Sequence, residues 1–288
     1  MPRAATHAVR VIELGAEMRA WVHEARQQGR RLGFVPTMGA LHAGHLSLVD
    51  AALAEGDGAV ASIFVNPTQF AAGEDFAKYP RVLDRDLDLL RDRGCELAFV
   101  PAAAEMYPPG FDTSIDVGAV ARPWEGAARP GHFRGVATVV HKLFQFVPAD
   151  RAYFGQKDYQ QTLVVRRMVA DLNLPIEIRV CPTVREPDGL ALSSRNAYLS
   201  PDERSRAAAL WQALQLAEAA VAAGETRVAE LRRRMVESLH TAGVEQIDYI
   251  GFLRDGTVDE CDQIDGPTVV AIAARVGPTR LIDNHRIG

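Results

Sequence analysis

Within "VPTMGALHAGHLSLVDAAL", residues 35 to 53, two histidines and two glycines stand at the start of a segment of helical period. His42, Gly44 and His45 weaken a helix start compared with Leu or Ala, so packing alone does not account for them. The chemistry they fit is that of an anion. Amide N–H groups in the first turn of a helix lack intrahelical partners and the helix dipole is positive there, which favours a phosphate. His42 and His45 are three positions apart and share a helix face. Two imidazoles in that place can donate hydrogen bonds to developing negative charge, and either could be protonated near neutral pH. Gly39 and Gly44 let backbone approach a ligand without a Cβ in the way. Taken alone, HxxH also fits a metal pair or two partly exposed histidines; a preceding strand and glycine turn favour the phosphate. The spacing departs from GxGxxG and from the Walker loop, so neither dinucleotide nor P-loop chemistry is indicated.

The elements that must position these residues can be read from periodicity. Residues 31 to 35, 59 to 65, 95 to 100, 151 to 154 and 176 to 181 are short apolar runs bounded by Gly, Pro, Asp or Asn, and they predict buried strands. Between them lie helical patterns: Leu46, Val49 and Leu53; Leu83, Leu87 and Leu90; Val136, Val139, Val140 and Leu143; Leu163, Val164, Met168 and Leu172. Strands alternating with helices predict an α/β fold, a doubly wound, Rossmann-like parallel sheet covered on both faces. In such sheets ligands bind beyond the carboxyl ends of the strands, which is where the histidine stretch falls. After residue 184 the texture changes. Helical stretches over 201 to 223 and 227 to 242 precede strand-like runs at 247 to 253 and 268 to 276, which predicts a second, smaller α+β domain. The expected division is residues 1–184 and 185–288, with the C-terminal unit a candidate lid.

Composition narrows the function classes. The chain has 288 residues, 48% hydrophobic and 24% charged, with no run near the ~20 apolar residues of a membrane span. The first ten residues show no export signal, and a non-membrane, cytoplasmic protein is expected. Cys95, Cys181 and Cys261 are far apart and form no CxxC pair, against a disulfide framework or a structural zinc site. A net charge of −5 disfavours nucleic acid as a partner, while a local positive site can still take a small anion.

HxGH after a first strand resembles the nucleotidyltransferase superfamily that includes class I aminoacyl-tRNA synthetases. A longer set of stretches resembles the pantoate–β-alanine ligase family: "PTMGALHAGH" (36 to 45), "FVNPTQF" (64 to 70), "RPGHFRGVATVV" (129 to 140), "YFGQKDYQQ" (153 to 161) and "PTVREPDGLALSSRNAYLS" (182 to 200). They occur in family order and extend from about residue 10 to the end. The resemblance implies an ATP-dependent ligase that condenses pantoate with β-alanine through pantoyl adenylate, releasing pyrophosphate and AMP, in the supply of a coenzyme A precursor. It implies Mg2+ arriving with ATP, and a homodimer. The chemistry is sound in itself. A carboxylate repels an attacking amine, and adenylation removes the charge and supplies a leaving group, provided that cations and donors surround the phosphates.

Carried over position by position, the resemblance places ATP against Met38, Gly39, Ala40, Leu41, His42, Ala43, Gly44 and His45, with His45, His42 and Lys157 as catalytic residues and His45 as proton donor to the phosphates. Gly155, Gln156, Lys157 and Asp158 match a second ATP segment, in which Lys157 would hold phosphate oxygens and Asp158 the ribose or Lys157. Val184, Leu192, Ser193, Ser194 and Arg195 match a third, whose hydroxyls and guanidinium suit phosphates. Gln69 and Gln161 match the residues that hold pantoate, Gln69 also lying near β-alanine. His132 and Arg134 fall in a family stretch near the site, in a structural, gating or contact role. Without the resemblance, "GQKDYQQ" reads as a polar loop, "SSRN" as a turn and both glutamines as solvated.

Leu192 stands where the family often has Met, a change that conserves volume. Asp84 and Asp86 fall where some members place carboxylates near the metal, but the spacing is ambiguous and a solvated helix face is the favoured reading. The metal is therefore assigned by chemistry, as MgATP held mainly by water and phosphate. Rivals are an adenylyl- or cytidylyltransferase with a phosphorylated acceptor and a non-catalytic nucleotide sensor. A tRNA synthetase is disfavoured by the small size and acidic charge.

Overall fold

The computed structural model describes residues 8–71 and 73–288, so the export-signal reading lies, for residues 1–7, outside the described residues. The first part of the chain runs through β1 (Arg10–Ile12), α1 (Gly15–Gln27), β2 (Leu32–Thr37), α2 (Ala43–Glu55), β3 (Gly58–Ile63), α3 (Leu83–Asp92), β4 (Leu97–Phe99), α4 (Ala103–Met106), α5 (Glu125–Ala128), α6 (His132–Phe146), β5 (Arg151–Gly155), α7 (Tyr159–Asp171) and β6 (Glu177–Cys181). The six strands form a parallel sheet in the order β1-β4-β3-β2-β5-β6. The strands read as unbroken apolar runs because both faces are covered. Successive residues feed opposite cores: Phe34, Val60, Leu97 and Phe99 pack with α1, α6 and α7, whereas Val35, Ala59, Ala61 and Ala98 pack with α2 and α3.

The strand order reverses between β2 and β5, because the chain moves from β2 outward to β3 and β4 and then returns to the other side. β2 pairs with β3 from Leu32↔Gly58 to Thr37↔Ile63. Its pairing with β5 holds only Gly33↔Arg151 and Phe34↔Ala152. The two central strands thus part toward their carboxyl ends, and Pro36, which has no N–H for a ladder, lies in the unpaired stretch. This is the crevice in which open α/β sheets take their ligands.

The rest of the chain forms α8 (Pro201–Ala207), α9 (Ala209–Ala222), α10 (Val228–Thr241), β7 (Gln246–Arg254), β8 (Thr268–Val276) and β9 (Thr279–Ile287). The last three make an antiparallel sheet in the order β7-β8-β9. One face packs on the helices through Leu214, Leu231, Met235, Phe252 and Ile272. The other presents Leu253, Val269 and Ala271 to Tyr159 and Leu163 of α7. The segment expected as one helix over 201 to 223 divides at Ala208. Two strands escape sequence reading. β1 is too short to show a period, and β9 carries Asp283, Asn284 and His285, whose polarity resembles a solvated turn. No helix among the described residues is long and apolar enough to cross a membrane.

Candidate active site

The turn after β2 is held from below. Asp86 in α3 is 1% exposed, and its two carboxylate oxygens accept the amides of Ala40 and Leu41, each at 2.8 Å. Thr37 Oγ1 accepts from Gly39 N at 3.1 Å and donates to Ser62 O at 2.6 Å. The backbone needs this support, because Gly39 has φ +80° and Ala40 φ +50°, a left-handed conformation that costs a residue with a Cβ. The solvated-face reading therefore holds for exposed Asp84 and fails for Asp86, which is buried among backbone donors.

His42 caps α2. Its Nδ1 accepts from Gly44 N at 3.1 Å, and His45 Nδ1 accepts from His42 N at 3.4 Å. Gly44 is required by this fold-over, since a Cβ there would sit 2.9 Å from the His42 ring. The amides of His45 and Leu46 go to His42 O. The amides of Gly44, His45 and Leu46, expected to await a phosphate, are thus already taken, and the imidazoles supply donors in their place. With Nδ1 accepting in both rings, each proton lies on Nε2. Burial, with Lys157 nearby, pushes the His42 pKa down to about 4. Burial, with His42 and Lys157, pushes His45 down to about 3. Both shifts favour neutral rings at physiological pH over the protonated form that sequence reading left open; as neutral Nε2–H donors they still suit phosphate oxygens.

Both histidines line a cavity of about 220 Å3 in the crevice, shared by Met38, Gly44, Gln69, Gly155, Lys157, Asp158, Gln161, Val184, Leu192, Ser193, Ser194 and Arg195. The structure so gathers most of the nominated residues around one space. Gly39, Ala40 and Leu41 do not line it; they are buried, Gly39 held by Thr37 and Ala40 and Leu41 by Asp86. Ala43 is exposed, and Gln156 turns toward Asn284 at 3.4 Å. Lys157 Nζ stands 3.7 Å from Asp158 Oδ1, its one ion pair among the described residues, which leaves its charge available. Arg195 is engaged instead, with Nε and Nη2 each 2.9 Å from the Asp75 carboxylate. Ser194 Oγ donates to Ala40 O at 3.1 Å, and Ser193 Oγ accepts from Arg195 N at 3.2 Å, so this segment closes against the histidine turn.

Part of the cavity lining is apolar, from Phe64, Val136, Val139, Val140, Leu143 and Phe154. Gln69 and Gln161 line the same cavity. Gln69 Oε1 accepts from Asn66 Nδ2 at 3.0 Å, and its own amide reaches Met38 Sδ at 3.2 Å. Asn66 is 1% exposed and is fixed in turn by Tyr107 Oη at 2.7 Å. The mouth opens on a larger cleft of about 680 Å3, toward Glu125, Tyr249 and Arg280; Arg129, His132, Lys157, Asp158, Gln161, Ser193 and Arg195 belong to both spaces. The smaller space alone falls below the roughly 300–1,000 Å3 of ordinary small-molecule sites, and the larger cleft that shares its lining lies within that range.

His132 lines both spaces and also braces the Gln69 backbone, whereas Arg134 is exposed. Arg129 Nη1 donates to His132 Nε2 at 3.1 Å, and His132 Nδ1 then donates to Gln69 O at 2.9 Å. Burial and the Arg129 charge lower the His132 pKa to about 4. Arg129 itself grips Glu74 at 2.8 and 2.7 Å. Sequence reading missed Asn66, Asp75, Arg129 and Asn284. Asn66 alone had a local signal, an Asn before Pro67 where a short helix begins.

The family model for pantoate-beta-alanine ligase matches residues 10–286. A pantothenate synthetase of Roseiflexus sp. (strain RS-1) is 54% identical over 276 residues, covering 96% of this chain and 98% of that protein. The crystal structure of pantothenate synthetase from Thermus thermophilus superposes with TM-score 0.91 at 48% identity, covering 96% of this chain and 99% of that one. That of pantoate-beta-alanine ligase from Francisella tularensis, complexed with beta-gamma ATP and beta-alanine, gives 0.82 at 33% identity, covering 96% and 97%.

Proposed function

The chain belongs to the pantoate-beta-alanine ligase family, and from that premise we propose that it activates pantoate as an acyl adenylate and passes the acyl group to β-alanine. The observation that carries this reading is a single cavity lined both by the phosphate-type donors His42, His45 and Lys157 and by apolar side chains together with Gln69 and Gln161. Pantoate has that duality, with a dimethyl centre suited to the valines and hydroxyls suited to neutral amides. The complex of the Francisella relative with beta-gamma ATP and beta-alanine supports these two as ligands here.

In the first step a pantoate carboxylate oxygen attacks the α-phosphorus of ATP. The bond to the β-phosphate oxygen breaks and pyrophosphate leaves. The Nε2–H groups of His42 and His45 and the Lys157 ammonium meet charge that grows on the phosphate oxygens. Gln69 and Gln161 hold pantoate in line, and Asp158 the ribose or Lys157. Val184, Leu192, Ser193 and Ser194 are ATP contacts on the family resemblance and line the cavity, while Arg195 borders it with its guanidinium held by Asp75. In the second step the β-alanine nitrogen attacks the acyl carbon, the bond to AMP breaks, and the amine sheds a proton. Magnesium enters as MgATP. Among the described residues no group of three or more His, Cys, Asp or Glu is placed to hold a metal, and Asp86 and Asp75 are committed to backbone and to Arg195. This fits an ion carried by phosphate and water, which offsets phosphate charge. On the family resemblance the reading includes a homodimer, a cytoplasmic location and a mobile C-terminal unit, residues 185–288.

The test is pyrophosphate release from MgATP and pantoate, with and without β-alanine. The expected result is one equivalent per site without β-alanine, and continuous turnover to AMP and pantothenate with it. Release that waits for β-alanine would overturn the adenylate step, and no release in either case would overturn the function.

A further inference from the structure

Lys157 is placed by a residue from the opposite end of the chain. It lies in a single 3-10 turn, Gln156–Asp158, between β5 and α7. Asn284 of β9 is 4% exposed and reaches across to this turn. Its Nδ2 donates to Gln156 O at 2.9 Å and to Lys157 O at 2.8 Å, and its Oδ1 accepts from Gln156 Nε2 at 3.4 Å. One side chain therefore holds two successive carbonyls of the turn that carries Lys157 and Asp158. A short turn with so few internal bonds takes its shape from such partners.

Asn284 is itself anchored. The Arg185 guanidinium grips the neighbouring Asp283 carboxylate at 2.6 and 3.0 Å and also donates to Asn284 O at 3.2 Å. Its other side lies on the Trp211 ring, 3.7 Å from the centroid. Bidentate pairing and ring stacking fix a guanidinium in orientation, so β9 cannot shift at Asn284 without breaking them. We propose that Asn284 is a positioning residue for Lys157, through which the C-terminal sheet sets the phosphate-holding ammonium in the N-terminal crevice. This rests on the reading of Lys157 as a phosphate ligand.

The test is equilibrium binding of ATP and of adenosine by calorimetry to the full chain, its Asn284→Ala and Lys157→Ala variants, and the double variant. Asn284→Ala is expected to weaken ATP about tenfold and leave adenosine within twofold, because adenosine has no phosphate for Lys157 to hold. In the Lys157→Ala background the Asn284 effect should vanish, the signature of two residues acting as one unit. Equal weakening of both ligands, or full additivity in the double variant, would overturn the proposal. If Lys157→Ala binds ATP like the parent, the phosphate role of Lys157 fails and this inference with it. Asn284→Asp, which keeps the shape and removes both donors, carries the same measurements should Asn284→Ala not fold.

Discussion

Asp86 accepts the backbone amide of Ala40 at 2.8 Å from a position 46 residues further along the chain, and so holds the histidine turn in its left-handed conformation. The same carboxylate takes Leu41 N, and these are charge-assisted bonds in a buried place.

Removing this carboxylate should harm both stability and chemistry. Asp86→Ala leaves two buried amides without acceptors, each costing about 1–3 kcal/mol. Urea denaturation is expected to show a loss of at least about 2 kcal/mol. The first step should slow by one to two orders of magnitude as the histidine turn loosens. Parent-like denaturation together with parent-like pyrophosphate release would rule out this support.

The histidines make a prediction in pH. Folded values of about 4, 3 and 4 for His42, His45 and His132 lie below the ordinary 6.5. Between roughly pH 6.5 and 4 the unfolded chain therefore binds protons that the folded chain does not, so stability is present above that window and is lost as pH falls through it. Each ring contributes at most about 1.4 kcal/mol per pH unit. Imidazole proton resonances of the three should stay at their neutral positions from pH 8 to about 5. A titration of either His42 or His45 near 6.5 would show that burial does not control these rings.

Gln161 lies at the start of α7 and lines both the inner cavity and the outer cleft. Gln161→Ala should weaken pantoate at least about tenfold, some 1.4 kcal/mol, as expected for one hydrogen bond lost from a buried site. ATP binding without pantoate should hardly change. Separate titrations of the two ligands decide it: an equal loss for both would make Gln161 a support of the loop.

The parallel sheet, the place of the histidine turn and the change of architecture after that sheet were legible in the sequence because each is written in neighbouring residues. Apolar runs mark β2 to β6, helical spacing marks the segments between them, and glycines beside histidines mark a turn that must admit something close. The family resemblance added the other nominated segments by the same route, as contiguous motifs.

What only the tertiary structure decided is which polar groups are buried and by whom they are held. Asp86 and Asp84 look alike on α3, yet Asp86 points under the turn after β2 and Asp84 is exposed. Arg195 looks like a free phosphate ligand, but Asp75, 120 residues away in sequence, already holds it. Asn284 looks like part of a solvated segment, and it binds the backbone of Lys157 across 127 positions. The tautomers of His42 and His45 come from backbone amides that donate to each Nδ1, and their low pKa values from burial and nearby Lys157. A side chain's polarity is local, whereas its desolvation and its hydrogen-bond partner exist only once distant segments are packed together.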